Sequence, residues 1–471
     1  MRAYERLIKY AKVWTTSDEA HEDRSPSTER QFDLARMLVE DMKELGIEDA
    51  SVDENCYVTG HIPATPGYED RVRLGFIAHM DTAPDASGEH VRPQVHENYD
   101  GGPLALAPAE TETGTAEAKT GAAEVGAAEA EPETAETRTA EANTETAGEE
   151  PCAAEAGADC AGNGQAKETG AAAFRILDPA QFPELKDMKG KTLITSDGTT
   201  LLGADDKAGI SEILTMVQEL RDRKIPHGPL SVAFTPDEEI GSGAHLLDLD
   251  RFGAELAYTV DGGPTSEITY ETFNAASAKF EITGVSVHPG SGKGIMVNAA
   301  LVACEINSML PAGDIPALTE GYEGFFHLTG MEGNVEKAAI SYIVRDHRAA
   351  NFQARQDLLR HIEKVLNEKY GEGTVSLTIR HQDSNMEEKI RPHMDLVETA
   401  KAAIRSLGIE PDTSPVRGGT DGAELSFRGL PCPNLGTGGY GFHGPYEHIT
   451  AEDMDDEVKI LTGIVRTYAE K

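Results

Sequence analysis

The apolar positions of this chain follow a helical period in some stretches and short strand-like runs in others. In SPSTERQFDLARMLVEDMKELGI the apolar residues Phe32, Leu34, Met37, Leu38, Met42 and Leu45 form a broken helical stripe. Thr28 followed three residues later by Gln31 has the spacing of a capping box. CYVTGHI and RVRLGFIAHMD read as strands, the second a short apolar run ending in polar residues. Further on, TLLGADDKAGISEILTMVQEL reads as a glycine-containing turn leading into a helix. PLSVAFTPDEE is then a strand ending in acids, and AELAYTVDGG a strand ending in Asp. This βαβ-type alternation predicts an α/β sheet flanked by helices, in which sites gather at the carboxyl ends of the strands.

From about Phe273 to Arg380 the pattern changes. AKFEITGVSVHPG, EGFFHLTGME, KAAISYIVRDHR and TVSLTIRHQD predict four strands. NAALVACEINSML and FQARQDLLRHIEKVLNEKYG predict helices between them, giving an α+β sandwich inserted into the first domain. MDLVETAKAAIRSLGI, the Arg417–Gly422 turn, the PCPNLGT strand and a terminal helix then return to that first domain. The expected boundaries are 1–272, 273–380 and 381–471, and 471 residues are too many for one ordinary core.

One stretch fits neither period. From about Pro108 to Ala173 the chain is Ala, Glu, Thr and Gly with almost no large apolar residues, too little apolar surface to offset chain entropy. It reads as a disordered or weakly helical acidic insertion and supplies about 15 acidic residues against Lys119, Arg138 and Lys167. Much of the net charge of −40 therefore lies outside the folded core. Charge of this sign argues against nucleic acid and against anionic membranes, and it attracts cations. The five cysteines, Cys56, Cys152, Cys160, Cys304 and Cys432, are scattered without a Cys-x-x-Cys pair, so neither a disulfide framework nor a thiolate zinc site is expected. With no long apolar run at the start, and none approaching about 20 residues elsewhere, the cytoplasm is the expected compartment.

The candidate chemistry sits where predicted strands end. In FIAHMDTAPD, His79 and Asp81 are two apart, a spacing that suits a metal ligand and its orienting carboxylate. LLGADDKAG offers Asp205 or Asp206 as a carboxylate that bridges two cations, although an Asp before a helix also serves as a cap. FTPDEEIGSGA offers Asp237, Glu238 and Glu239, of which one can bind metal while the next accepts a proton from water. AYTVDGGP adds Asp261, and GGYGFHGPYEHIT offers His443 and His448. Each segment alone also suits a turn or a cap. The order His, Asp, Glu, Asp, His, mostly at strand ends and without Cys, fits a pair of zinc, cobalt or manganese ions.

GFIAHMDTAPD, TLLGADDKAGI, VAFTPDEEIGSGA, AYTVDGG, FNAASA, VHPGSGKGIMVNA, TEGYEGFFHL, YIVRD, RGGTDGAELSFRGLPCPNLGTGG and FHGPYE together resemble the peptidase T family, bacterial tripeptide aminopeptidases among the co-catalytic zinc exopeptidases. The resemblance runs over nearly the whole chain, and the long acidic insertion is the main departure from it. It implies a zinc-exopeptidase catalytic domain, a mixed sheet flanked by helices, interrupted by the α+β sandwich as a lid domain. It also implies two zinc ions per subunit, with cobalt or manganese as substitutes. His79 and Asp261 would bind one ion and Glu239 and His443 the other. Asp205 would bridge them, Glu238 would act as general base and Asp81 would orient His79. The family pattern of Asp, one residue, then Lys selects Asp205 over Asp206, and a Glu four residues on, here Glu447, selects His443 over His448. In the lid, His288 would aim at the scissile carbonyl oxygen, while Asn298, Arg345 and Arg417 would hold substrate termini or carboxylates.

The expected function is release of the N-terminal residue from short peptides, chiefly tripeptides, by water activated between two zincs, in cytoplasmic peptide catabolism. Short peptides are the expected partners, with no nucleic acid or membrane, in a monomer or homodimer. On the same scaffold a dipeptidase, carboxypeptidase or N-acyl-amino-acid deacylase would carry the same metal ligands. A non-catalytic peptide- or metal-binding protein would have no need of Glu238.

Overall fold

The computed structural model describes residues 1–21, 23–107 and 175–471. The acidic insertion expected at about 108–173 falls outside the described residues.

The central element is a seven-stranded mixed sheet. Its strand order is Ser51–Val52, Val58–Ile62, Leu230–Thr235, Leu74–His79, Leu256–Val260, Asn434–Leu435 and Ile268–Thr269. Leu74–His79 pairs in parallel with both Leu230–Thr235 and Leu256–Val260, and the edges are antiparallel. Every residue of Leu74–His79 and Leu230–Thr235 is buried. Parallel strands covered on both faces read as continuous apolar runs, and these two were legible in the sequence for that reason.

Successive side chains point to opposite faces. Phe76 and Val232 join a large apolar cluster with the helices Ala3–Tyr10, Gln31–Glu44, Ala204–Asp222, Met394–Ser406 and Ala451–Glu470. Ile77 and Ala233 join a smaller cluster on the other face, with Phe252, Leu425 and Cys432. Because His79, Thr235 and Val260 end adjacent parallel strands, the residues that follow them emerge along one edge of the sheet.

Four strands and two helices form a separate layer. The antiparallel order is Phe325–Gly333, Lys337–Asp346, Asn274–Thr283 and Val375–Asp383. Burial alternates along Lys337–Asp346, so one face of this sheet packs against Ala299–Met309 and Ala349–Tyr370 in its own apolar cluster. A small sheet of Gly439–Tyr440, His448–Thr450, Leu193–Thr195 and Gln94–His96 frames the loop that carries His443. Among the described residues no helix is long and apolar enough to cross a membrane.

The capping box expected at Thr28 and Gln31 does not form. The helix starts at Gln31 with Arg30 as an uncapped neighbour, and the Gln31 amide donates to Asp237 at 2.6 Å and to the Thr28 hydroxyl at 3.3 Å. A distant carboxylate is the stronger acceptor, and it takes the side chain that the local pattern assigned to the backbone.

Beneath the sheet edge, Glu212 of Ala204–Asp222 and Glu457 of Ala451–Glu470 are both buried. Neither oxygen of Glu212 has a hydrogen-bond partner, nor has Oε1 of Glu457. Burial first, and then the facing carboxyl of Glu457, raises the Glu212 pKa well above the carboxylate range, and burial does the same for Glu457. The folded state thus keeps protons that the unfolded chain releases above about pH 4.3, so the pair lowers stability as pH rises from there towards the folded pKa. We expect Glu212→Gln to raise Tm by about 1 °C at pH 8, the shift of roughly 1 kcal/mol at about 2.1 cal/mol/K of unfolding entropy per residue in a 471-residue chain, and by clearly less at pH 5. Calorimetry at the two pH values checks this, and an equal gain at both would contradict it.

Candidate active site

His79 closes the central strand with its side chain 2% exposed. Its Nδ1 hydrogen-bonds the Asp81 carbonyl oxygen at 3.2 Å and lies 3.2 Å from Asp81 Oδ1, which together fix the ring so that Nε2 faces outward from the sheet edge. The Asp81 carboxylate also accepts the backbone N–H groups of Glu238 at 3.0 Å and Glu239 at 3.2 Å, tying the turn after one strand to the turn after its neighbour.

The Ala204–Asp222 helix begins irregularly. Gly203 has φ +78°, and Asp205 and Asp206 depart from helical geometry. Asp206 accepts from the backbone N–H of His79 and of Gly209, each at 3.1 Å, so its carboxylate is spent on the backbone. A Cβ at Gly209 would lie 1.9 Å from the Val260 carbonyl oxygen, so only glycine lets the helix approach the strand end this closely. Glu447 accepts from the N–H groups of Leu202, Gly203 and Asp205 at 2.7, 2.8 and 2.9 Å, holding the loop from which Asp205 projects.

Two donor groups result, and they share one residue. His79 Nε2 lies 2.9 Å from Asp205 Oδ1 and 3.5 Å from Asp261 Oδ1. His443 Nε2 lies 3.0 Å from Glu239 Oε2 and 3.4 Å from Asp205 Oδ2. Within each group the ligand atoms lie within 4.8 Å of one another, and Asp205 offers one oxygen to each side. His443 Nδ1 is 3.7 Å from Asp85 Oδ2.

The electrostatics are those of a cation site. Burial disfavours charge on His79, but Asp261, Asp205 and Asp81 outweigh it and hold its pKa well above the usual imidazole range. Hydrogen bonds to Asp205 and Glu239 lift His443 to about 11. Burial raises Asp261 to about 6, with Asp205 adding to it, and lifts Glu239 to about 7 against the pull of His443. Asp205 goes the other way, because both imidazoles overcome its burial and lower it. The nearby ammonium, Lys207, is fully buried, pushed down to about 7 and bonded to the Val13 carbonyl. Among the described residues Glu239 Oε1 is buried without a partner. Imidazole and carboxylate donors in excess of cations, one buried oxygen unpaired and no thiolate suit a pair of divalent metal ions.

The chain is similar to known proteins along its whole length. The model of peptidase family M20/M25/M40 matches residues 197–467. Peptidase T of Alkaliphilus oremlandii (strain OhILAs) is 44% identical over 468 residues, covering 99% of this chain and 98% of its own. Peptidase T of Clostridium perfringens (strain 13 / Type A) is 44% identical over 471 residues, covering both chains completely. The chain belongs to the peptidase T group of peptidase family M20/M25/M40. The crystal structure of aminopeptidase PepT from Bacillus cereus ATCC 10987 shares its fold, with a TM-score of 0.69 at 18% identity over 100% of this chain and 98% of that one.

The structure of this family member brings together His79, Asp205, Glu239, Asp261 and His443, with Asp81 and Glu238 adjoining. It does not bring the four substrate candidates to them. His288 is exposed and accepts from Gly290 N–H at 3.2 Å. Asn298 caps Ala299–Met309 by accepting from the N–H groups of Ala300 and Leu301. Arg345 donates to the Arg417 carbonyl at 2.7 Å, and Arg417 donates to Thr319 O and Oγ1 at 2.5 and 2.7 Å. Sequence reasoning missed the anchoring roles of Asp206 and Glu447. It also missed Asp421, buried beside Thr235 with its carboxyl lifted to about 7 by burial.

Without metal, His79, His443, Asp261 and Glu239 hold protons to higher pH than the free side chains, and ligation must displace them. We expect zinc affinity to rise by about tenfold or more per pH unit between pH 5.5 and 7.5, with net proton release. Chelator competition and calorimetry in buffers of different ionisation enthalpy check this. A flat affinity across that window would contradict it.

Proposed function

We propose that this chain is a metallo-aminopeptidase that releases the N-terminal residue of short peptides, chiefly tripeptides, with two divalent ions, zinc by preference and cobalt or manganese as substitutes. The observation that carries the reading is the pair of imidazole–carboxylate groups sharing Asp205, with Glu238 beside them, in a chain 44% identical throughout to peptidase T.

In this reading His79 and Asp261 would hold one ion and Glu239 and His443 the other, and Asp205 would serve both. When bound, the ions supply Lewis acidity that lowers the pKa of a water and polarises the substrate carbonyl. Asp81 orients His79 and, through the N–H groups of Glu238 and Glu239, sets the turn that carries the base. Burial, with Asp261, Asp421 and Glu239 nearby, raises Glu238 well above the carboxylate range, the direction a proton acceptor near neutral pH requires. Glu238 takes the proton of the attacking water and delivers it to the leaving amine.

Residues 273–380 are proposed as a lid that brings His288 towards the carbonyl oxygen and excludes water, with Asn298, Arg345 and Arg417 engaging substrate termini. Those four make other bonds in this structure, so substrate exchanges with them: Arg417, for example, gives up Thr319. The same reading places the enzyme in cytoplasmic peptide catabolism, as a monomer or homodimer.

Glu238→Gln is expected to lower kcat by about 10²–10⁴-fold while both metals stay bound. Steady-state kinetics beside metal analysis tests it, and near-full activity would remove Glu238 from its role. A panel of di-, tri- and tetrapeptides with free and blocked amino termini tests the substrate class. Preferred cleavage of free tripeptides is expected. Cleavage confined to dipeptides, to carboxyl-terminal residues or to N-acyl substrates would transfer the assignment to one of the other hydrolases on this scaffold.

A further inference from the structure

Asp237 precedes Glu238 and Glu239, yet it points away from them. It is fully buried, and its φ of +56° lies in the left-handed region, which residues with a Cβ adopt uncommonly, Asp more readily than most. Its carboxylate accepts three bonds, all from the N-terminal part of the chain. Ser27 N–H donates to Oδ2 at 2.7 Å, Ser27 Oγ to Oδ1 at 2.5 Å and Gln31 Nε2 to Oδ1 at 2.6 Å. Among the described residues no charged group donates to this carboxylate.

The same N-terminal residues grip the neighbouring turn. Ser17 N–H donates to the Thr82 carbonyl at 3.3 Å, and the hydroxyls of Thr16 and Thr82 are 3.1 Å apart. The Thr16 carbonyl accepts from Thr28 Oγ1 at 3.0 Å and Arg30 Nε at 2.9 Å, while Asp18 N–H donates to Ser27 Oγ at 3.0 Å. Residues 16–18 and 27–31 therefore connect the turn after His79 to the turn after Thr235. On the inner side Asp81 makes the same connection through Glu238 and Glu239 N–H. The two metal-bearing turns are closed into a ring of hydrogen bonds, with Asp237 as its outer corner.

We propose that Ser27 and Gln31 are positioning residues for hydrolysis: by holding Asp237 in its left-handed turn, they set the directions of Glu238 and Glu239 relative to His79. Neither makes a hydrogen bond to a ligand or the base, and Asp237 is the acceptor they share; Ser27 Oγ also accepts from Asp18 N–H, and Gln31 Nε2 also donates to Thr28 Oγ1. The inference rests on the roles proposed above for Glu238 and Glu239. Failure of that reading shows in the wild-type enzyme and in Glu238→Gln, whereas failure of this one shows only in the variants below.

The test uses full-length zinc-loaded enzyme. Ser27→Ala and Gln31→Met are each expected to lower kcat on a tripeptide by about 10–100-fold with KM within about threefold, the loss typical of groups that orient ligands. Zinc affinity from chelator competition is expected to fall with kcat, and the visible spectrum of the cobalt-loaded enzyme to change as Glu239 turns. The double variant Gln31→Glu with Asp237→Asn exchanges donor and acceptor across the same contact and conserves charge. It is expected to recover kcat to within about threefold of wild type, the margin left for unmatched donors at the exchanged contact. Folded single variants with kcat and cobalt spectrum unchanged would overturn the proposal. If the single variants do not fold, the double variant decides: folded and active supports the positioning role, whereas folded and inactive, or unfolded, overturns it.

Discussion

The constraint on which this structure depends is the crowding of carboxylates at one edge of a parallel sheet. Asp81, Asp205, Asp206, Glu238, Glu239, Asp261 and Glu447 converge there with two imidazoles, and the adjacent Lys207 is pushed down to about 7 by its own burial. Buried carboxylates without compensation cost several kcal/mol each, so an arrangement of this kind persists only where cations, protons or backbone donors answer the charge. Without metal the imidazoles take that part, which is why His79 and His443 both hold their protons so tightly. A divalent ion carries the same compensation in less space and leaves the imidazoles free to coordinate. The site's affinity for metal and its strain without metal have one origin.

The fold produces the crowding by exhausting the alternatives. Both faces of Leu74–His79 and Leu230–Thr235 are covered by apolar clusters, so within these two strands only His79, the last residue of its strand, offers a side chain to the candidate site. The chemistry is confined to where the strands stop. That confinement also made much of the site readable in the sequence. An apolar run ending in His-Met-Asp, in Asp-Glu-Glu or in Asp-Gly-Gly announces a strand end and a candidate ligand together, and the structure gathers His79, Glu239 and Asp261 accordingly. The layer from Phe273 to Arg380 was legible for a different reason, since alternation along KAAISYIVRD reports a sheet with one covered face.

What the sequence left open was the part decided by long-range contacts. Composition and periodicity do not separate Asp205 from Asp206, and only the family resemblance, through the Asp-x-Lys spacing, selects Asp205. They differ because Asp206 meets the His79 N–H from 127 residues away, which turns its carboxylate inwards. Gln31 was read as half of a capping box, and it instead serves an acceptor 206 residues distant. Glu447 anchors the Asp205 loop across 242 residues. Conversely, Asn298 keeps the local role that its place before a helix suggests, as a cap, and the contacts of Arg345 and Arg417 are with each other and with Thr319.

Chemically identical carboxylates are thus sorted by what they are given to accept. Those offered backbone N–H groups become framework: Asp206 takes two, Asp81 takes two and Glu447 takes three. Asp237 takes one N–H and two side-chain donors, and joins them. Those offered imidazoles instead, Asp205, Glu239 and Asp261, keep oxygens directed towards the histidines, and Glu239 keeps one with no partner among the described residues. Glu238 belongs to neither set. Its N–H is fixed by Asp81 while its carboxyl, buried among other acids, has an affinity for a proton raised above that of an ordinary carboxylate. A backbone donor removes a carboxylate from the chemistry by satisfying it, and the carboxylates that remain unsatisfied are the ones available to metal and to water.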